Sequence, residues 1–183
     1  IQVFEMPWGE WLDLHPGSEV VAFGALGSVI DYDRYPYDTY YTNSRVSFPL
    51  RDPLDSREHP KTRVLGVRSG GEAKAWMIEA MTGPVINDSV GGDPVVVLGH
   101  AGFNYAVSYS RIVNGETRTF ELSQTWEPRL RDLETGTEWD IHGLAVAGPD
   151  IGSQLVSTES YIGFWFAWAA YHPGSELWIG EED

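Results

Sequence analysis

The chain has 183 residues, a formal net charge of −15 and no cysteine. Its length indicates one domain, or one domain with a small appendage. The lack of cysteine excludes disulfides, thiolate nucleophiles, iron–sulfur clusters and cysteine-ligated zinc. The acidic balance predicts no nucleic-acid binding, which depends on neutralising phosphates. The longest apolar run is about eleven residues, too short for a bilayer that needs roughly 20, so we expect no membrane span within this chain.

One unusual motif occurs at both ends of the chain, at a constant offset of 157 residues. Residues 8–20 and 165–177 both read W-x-x-W-x-x-x-H-P-G-S-E followed by an aliphatic residue. Positions i, i+3 and i+7 share one face of a helix, and the Pro-Gly pair ends it. Each copy therefore predicts a short helix, a hard stop and entry into a strand. We interpret the repeat as the tail of one structural unit followed by a whole second unit.

The tryptophans and histidines of this motif allow two interpretations. In one, they pack the helix on a sheet and cap it, which is the usual role of buried Trp and His. In the other, His15 and His172 bind a metal or a ligand. We favour the packing interpretation.

Residues 1–62 are interpreted as the tail of the preceding unit with a tyrosine-rich connecting arm. A strand is predicted at 20–23, and five tyrosines follow within residues 32–41. Tyrosine supplies rigid amphipathic area, so these side chains are candidates for contact with a sugar or a partner protein. The alternative is an arm that wraps the next unit. The candidate contact residues are Tyr35, Tyr37, Tyr40, Tyr41 and Trp126.

The second part, residues 63–183, has the pattern of a β-rich repeat unit that ends in a Trp-rich helix. Its predicted elements are a strand at 63–68, a turn at 69–72, a returning strand or short helix at 73–78, a turn-rich stretch at 85–94, a central strand at 94–98, alternating strands at 105–113 and 116–122, and a turn at 133–137. Asn114-Gly115 is a strong hairpin signal. The fold class is therefore mainly β with a few short helices (α+β), as an antiparallel hairpin-rich sheet or a partly open barrel.

Few other residue patterns in the sequence indicate a catalytic or metal site. The five histidines show no compact metal-ligand spacing, no G-x-S-x-G elbow occurs, and carboxylates are too abundant to discriminate a hydrolase. Asp140 and His142 lie two apart, on one face if the backbone is extended. His100, Asp140 and His142 are therefore the candidate metal residues, and the alternative is a hydrogen-bonded turn at Asp140. We predict no cofactor and no catalytic residue.

An ordered set of short sequence segments resembles a prokaryotic family of proteins of unknown function, number 3179. The segments that carry the resemblance are residues 64–67, 71–75, 87–97, 111–115, 132–139, 143–149 and the terminal motif from Trp165. Each phrase alone is weak, but their order and spacing together are specific. The resemblance implies a similar fold, frequent export and two such units in longer members. It implies no reaction.

The sequence departs from that family at the positions where many members carry cysteine or histidine. Many members carry Cys-Pro-Leu-Cys soon after the apolar strand, where this chain has His100 and Phe103. Members often have His-Glu before the Asn-Asp pair, where this chain has Gly83-Pro84. If those residues form a metal or redox site in relatives, this copy has lost most of it, because a lone histidine cannot replace three or four donors.

These observations lead to one favoured hypothesis and two alternatives. The favoured one is an exported, non-catalytic structural or protein-interaction domain, the degenerate copy of a duplicated unit. Its partner would be another protein chain or the missing preceding repeat unit. The alternatives are a carbohydrate-binding or hydrolytic domain and a metal-handling domain. We expect an extracytoplasmic location, with the export signal upstream of Ile1.

Overall fold

The computed structural model describes residues 4–22, 27, 34, 37–47, 49–50, 54–82, 85–102, 104–123 and 130–180. Within these ranges the chain forms two short α-helices, two 3₁₀ helices of three or four residues and thirteen strands. The α-helices are α1 (Trp8–Leu14) and α2 (Trp165–Tyr171). The strands are β1 (Arg63–Ser69), β2 (Glu72–Met77), β3 (Val85–Val90), β4 (Asp93–His100), β5 (Tyr105–Ser110), β6 (Ile112–Val113), β7 (Glu116–Thr117), β8 (Phe120–Leu122), β9 (Leu130–Asp132), β10 (Glu138–Trp139), β11 (Ala145–Ala147), β12 (Glu159–Phe164) and β13 (Glu176–Trp178).

The strands form separate sheets rather than one continuous sheet. Four strands lie in the order β12-β1-β2-β13, three in the order β3-β4-β5, and four in the order β11-β10-β9-β8. Strands β6 and β7 form a two-stranded ribbon. The pairs are antiparallel except that β13 runs parallel to β2. The predicted mainly β class is confirmed, and in the described ranges no sheet closes into a barrel.

The core is layered because the central strands bury both faces. In β4, Val95 and Val97 pack toward the sheet that contains β1 and β2, whereas Val96 and Leu98 pack toward the sheet that contains β9 and β10. Successive side chains of a strand point to opposite faces, so an unbroken apolar run fills two cores at once. The predicted central strand is therefore confirmed, since β4 is the middle strand of its sheet. A third core lies between helix α2 and the outer face of β1 and β2.

Tight two-residue turns join three of the hairpins, β1–β2, β3–β4 and β6–β7. Asn114 and Gly115 have φ of 52° and 84° between β6 and β7. Both angles lie in the left-handed region that a type I′ hairpin turn requires, and Asn-Gly adopts it at low cost. The hairpin predicted there is confirmed, as is the turn between β1 and β2 at residues 70–71.

Two predicted elements were wrong. Residues 85–90 were expected to be turn-rich but form β3. This strand carries polar residues because the Asn87 amide binds across to the next sheet: its Oδ1 accepts from Phe120 N at 2.8 Å and its Nδ2 donates to Phe120 O at 2.7 Å. The strand expected at 20–23 is absent from its described part, 20–22, where Val20 and Val21 are 66% and 72% exposed and have no neighbouring strand.

No helix in the described part of the chain combines the length and the apolar character that crossing a bilayer requires. The division at residues 62 and 63 stays a prediction. The Glu5 carboxylate pairs with the Arg63 guanidinium at 2.7 Å, so the two sides of that division are in direct contact.

Candidate functional site

Helices α1 and α2 have the same local structure, as the repeated motif predicts. Each spans seven residues and ends at a histidine with non-helical backbone, φ −133° and ψ 69° at His15, φ −128° and ψ 66° at His172. The backbone N–H of each histidine donates at 2.8 Å to the carbonyl of a tryptophan four residues earlier, Trp11 or Trp168. The paired indole and imidazole rings lie 4.3 Å apart in the first copy and 4.1 Å in the second.

The serine of the motif completes this arrangement in both copies. The indole N–H of Trp11 donates to Ser18 Oγ at 2.8 Å, and that of Trp168 donates to Ser175 Oγ at 2.8 Å. An indole N–H that is removed from water needs an acceptor, and the chain reversal after the helix brings the serine to it. The motif therefore encodes a complete helix-and-turn element within a few residues.

The two copies differ in what covers their tryptophans. Trp165 and Trp168 are fully buried against the sheet of β1 and β2. A Cβ at Gly66 would lie 2.1 Å from the Trp168 ring, so the missing side chain of Gly66 makes room for the indole. In the first copy Trp8 is 44% exposed. The same sequence motif is thus fully packed at one end of the chain and half covered at the other.

The segment around α1, residues 4–18 and hereafter the N-terminal helix segment, rests on the β-rich unit through other side chains. Phe4, Met6 and Leu14 pack against the core between the β3-β4-β5 sheet and the β8–β11 sheet. Nearby, burial and to a smaller extent the Glu10 carboxylate raise the pKa of Tyr105 to about 12. The Tyr105 phenol is therefore neutral at physiological pH, as a group at the edge of an apolar core should be.

The centre of this contact is a pair of histidines. His15 Nε2 and His142 Nε2 are 3.0 Å apart, although the residues are separated by 127 positions in sequence. The rings are tilted by 36° with centroids 5.1 Å apart, and the edge of Phe4 meets the His142 ring. One nitrogen must donate and the other accept, so the hydrogen bond requires at least one of the two rings to be neutral.

A tight turn holds His142 in place. Asp140 Oδ1 accepts the backbone N–H of His142 at 2.9 Å and that of Leu144 at 2.9 Å, and Gln154 Nε2 donates to the His142 carbonyl at 2.7 Å. Asp140 therefore forms a hydrogen-bonded turn of the Asx type, which is the alternative to a metal site that the sequence left open. Its contribution to the site is to orient the backbone from which the His142 ring projects.

The third predicted metal residue, His100, ends strand β4. Its Nδ1 accepts the backbone N–H of Gly102 at 3.1 Å. Across the described ranges, no three His, Asp or Glu side chains are grouped closely enough to hold a metal ion. The ring that the structure brings to His142 is therefore that of His15, which the repeated motif offered as a candidate ligand together with His172 and not with His142.

The tyrosine-rich arm divides into packed and exposed side chains. Tyr40 and Tyr41 meet the ring of Phe164 edge-on, at centroid distances of 6.4 and 5.3 Å. The Lys61 ammonium lies 3.1 Å from the centre of the Tyr40 ring and donates to the Tyr40 carbonyl at 3.0 Å. Tyr37 is 68% exposed. The remaining candidates, Tyr35 and Trp126, lie outside the described residues.

In the second copy the histidine has a different neighbour. His172 Nε2 lies 3.4 Å from the hydroxyl of Tyr161, the residue that corresponds to Phe4. Burial, with a further contribution from the Arg68 guanidinium, lowers the pKa of His172. The same burial raises the pKa of Tyr161. His172 thus has the Trp contact of its counterpart without the second imidazole.

Comparison with known families decides the classification. A family model described as "Protein of unknown function (DUF3179)" matches residues 1–175. The chain belongs to this DUF3179 family. The match includes the first copy of the repeated motif and the second copy as far as Ser175, so the N-terminal helix segment is part of the DUF3179 sequence as much as the β-rich unit is. No curated protein and no solved structure matches the chain significantly.

Proposed function

We propose that this DUF3179 chain is a non-catalytic assembly domain whose N-terminal helix segment joins two β-rich units. One unit is the one described above, against which Phe4, Met6 and Leu14 pack. The other is a unit of the same kind, in the same polypeptide or in a partner chain, that covers the tryptophan face of α1. The half-covered Trp8 is the single observation that carries this proposal, because its counterpart Trp165 is fully buried.

The residues after α1 support the same conclusion. After α2 the chain enters β13, where Leu177 pairs with Ala75 of β2. The corresponding residue after α1 is Val20, which together with Val21 is well exposed and lies in no strand. Adjacent exposed valines that lie in no described strand can add a strand to the edge of another sheet.

These two features specify the chemistry of the partner surface. It must offer a small residue under the Trp11 indole, as Gly66 does for the counterpart Trp168, and a strand that accepts a parallel neighbour, as β2 accepts β13. A DUF3179 unit has both features by its fold, and they are open to α1 in a unit where α1 fills the place that α2 and β13 fill in the unit described above. Trp8, Val20 and Val21 are uncharged, which suits an apolar interface core surrounded by a polar rim.

Site-specific photo-crosslinking in the producing organism tests the proposal. A benzophenone amino acid is placed at Val21, and at Ile151 as a matched control that is 66% exposed in a turn between β11 and β12. We expect the Val21 probe to crosslink to a DUF3179 β-rich unit, at residues that correspond to β2, identified by mass spectrometry of the linked peptides. Equal crosslinking from Val21 and Ile151, or Val21 products that map to unrelated proteins, would contradict the proposal.

We also propose that the domain acts outside the cytoplasm, in the periplasm, at the cell surface or as a secreted protein. The support is the resemblance to exported relatives. Fractionation of the producing cells, followed by immunodetection of the chain, tests this location. Recovery with cytoplasmic marker proteins would contradict it.

A further inference from the structure

The two facing imidazoles have a geometry that suits a metal ion as well as a proton. His15 Nε2 and His142 Nε2 face each other at 3.0 Å, with the ring centroids 5.1 Å apart. Two nitrogens that each lie about 2.0–2.1 Å from one ion are roughly 2.9 Å apart at a right angle and roughly 3.4 Å apart at the tetrahedral angle. The spacing of the two nitrogens therefore already matches that of two ligands of one ion, which would lie to one side of the line between them and would be reached by rotation of the rings.

We propose that His15 and His142 form a two-imidazole site for a divalent transition-metal ion, and that the ion clamps the N-terminal helix segment onto the β-rich unit. Neutral imidazole is a preferred ligand of Zn²⁺, Ni²⁺ and Cu²⁺ and a poor one for Mg²⁺ and Ca²⁺. The order of divalent affinities places Cu²⁺ first. This inference does not depend on a partner unit, so it stands or fails separately from the proposed assembly function.

The two rings are held beside each other before any ion arrives. The Trp11 indole packs on the His15 ring at 4.3 Å, and the Phe4 ring meets the His142 ring at 4.9 Å. The Asp140 turn fixes the backbone of His142. Ligands that are already held at a suitable separation lose less conformational freedom on binding, which favours affinity.

The number of protein ligands determines how tightly the site holds its ion. No third His, Asp or Glu joins these two in the described ranges, so water or a small solute would complete the coordination sphere. Structural zinc sites have four protein ligands. A two-ligand site binds more weakly and exchanges its ion, which fits a reversible clamp between segments 127 residues apart rather than a permanent structural centre.

The second copy of the motif supplies an internal control. His172 has the same contact with a tryptophan and the same backbone conformation as His15. Its Nε2 faces the hydroxyl of Tyr161 instead of another imidazole. A response that requires the imidazole pair must involve His15 and His142 and leave His172 unchanged, whereas adventitious binding to histidine would not distinguish them.

Calorimetric titration of the purified chain with Cu²⁺ and with Zn²⁺ at near-neutral pH is the first test. We expect one equivalent to bind to the wild type and to His172→Gln. We expect His15→Gln and His142→Gln to bind at least about tenfold more weakly, since each lacks one of two donors. The ion should also raise the melting temperature of the wild type and of His172→Gln but not of the other two variants.

A second test needs no variant and so avoids any loss of folding. Long-range ¹H–¹⁵N spectra of the histidine rings resolve the Nε2 signals of the five histidines in the wild-type chain. We expect Zn²⁺ to shift the Nε2 signals of two rings, His15 and His142. Shifts confined to other histidines, no shift at all, or equal binding by all four proteins in the calorimeter would overturn the proposal.

Discussion

Helices α1 and α2 start from nearly the same sequence and end in nearly the same turn, yet they make different use of their surfaces. Helix α2 buries Trp165 and Trp168 on its own sheet and leaves Tyr171 80% exposed. Helix α1 leaves Trp8 half exposed and packs Leu14, the counterpart of Tyr171, onto the β-rich unit. The motif therefore encodes the helix and its cap, whereas the neighbouring sheet decides which side chains become core.

Removing the buried indole should give the largest effect. Trp168→Ala deletes a fully buried ring from the core between α2 and the β1–β2 sheet, and we expect a loss of about 3–5 kcal/mol in the free energy of unfolding. The matched variant Trp11→Ala should cost only about 1 kcal/mol, because its ring is partly exposed and part of its surface is already in water. Urea unfolding measures both. Equal losses would show that the two copies are equally packed.

Filling the space under the indole is the complementary change. Gly66→Ala places a Cβ 2.1 Å from the Trp168 ring, so strand or ring must shift, and we expect a loss of about 1–3 kcal/mol.

The control for Gly66→Ala is in the other copy. Gly9 lies within α1, and a Cβ there meets nothing within 4 Å. Gly9→Ala should stabilise the helix by up to about 1 kcal/mol, because alanine has the higher helix propensity. A stabilising Gly66→Ala in the same urea experiments would contradict the close contact between β1 and α2.

Placing a carboxylate at the equivalent positions Leu14 and Tyr171 should show which of the two side chains is packed against the β-rich unit. Leu14→Asp places a carboxylate against the core that holds the N-terminal helix segment, and we expect the segment to detach at a local cost of about 1–2 kcal/mol. Tyr171→Asp should have almost no effect on stability, since that side chain is 80% exposed. Hydrogen exchange of residues 8–14 reports detachment. Unchanged protection in Leu14→Asp would refute the docking.

The smallest expected effect is a pH dependence in the second copy. Burial and Arg68 lower the pKa of His172 from its ordinary 6.5, so the unfolded chain binds this proton more readily than the folded chain. The neutral His172 ring therefore contributes fully to the free energy of unfolding above pH 6.5. This stability is lost as the pH falls below 6.5 and through the lower pKa of the folded chain. His172→Gln should flatten this part of the curve of unfolding free energy against pH. A curve as steep as that of the wild type would contradict the shift.

Local signals made much of the fold predictable from the sequence. The Trp and His spacing with Pro-Gly predicted both helices, the continuous valines predicted the central position of β4, and Asn114-Gly115 predicted its hairpin. Strand β3 was missed because Asn87 looks like a turn residue until its amide is seen to pair with the backbone of Phe120. A strand at Val20 was expected from its β-branched pattern, but a strand needs a neighbour.

The candidate site was less predictable, for a physical reason. The pairing of His15 with His142 joins positions 127 residues apart, and no local spacing encodes it. The Asp140–His142 pattern did indicate a special turn, and the structure shows Asp140 accepting two backbone N–H groups there. The signal that was available for His15 is the repeat itself. In that repeat the histidine ends a helix and its ring packs beside a tryptophan, so the direction of the His15 ring is fixed by local sequence.

Hydroxyl-radical footprinting, read by mass spectrometry, tests the central claim most directly, namely that α1 is the same helix as α2 with its tryptophan face still to be covered. In the isolated chain, Trp8 should oxidise readily and Trp165 should be protected, in line with their exposures of 44% and 0%. In the assembly purified from the producing organism, Trp8 and Val21 should become protected while Ile151 keeps its labelling rate. Unchanged oxidation of Trp8 in that assembly would contradict the account.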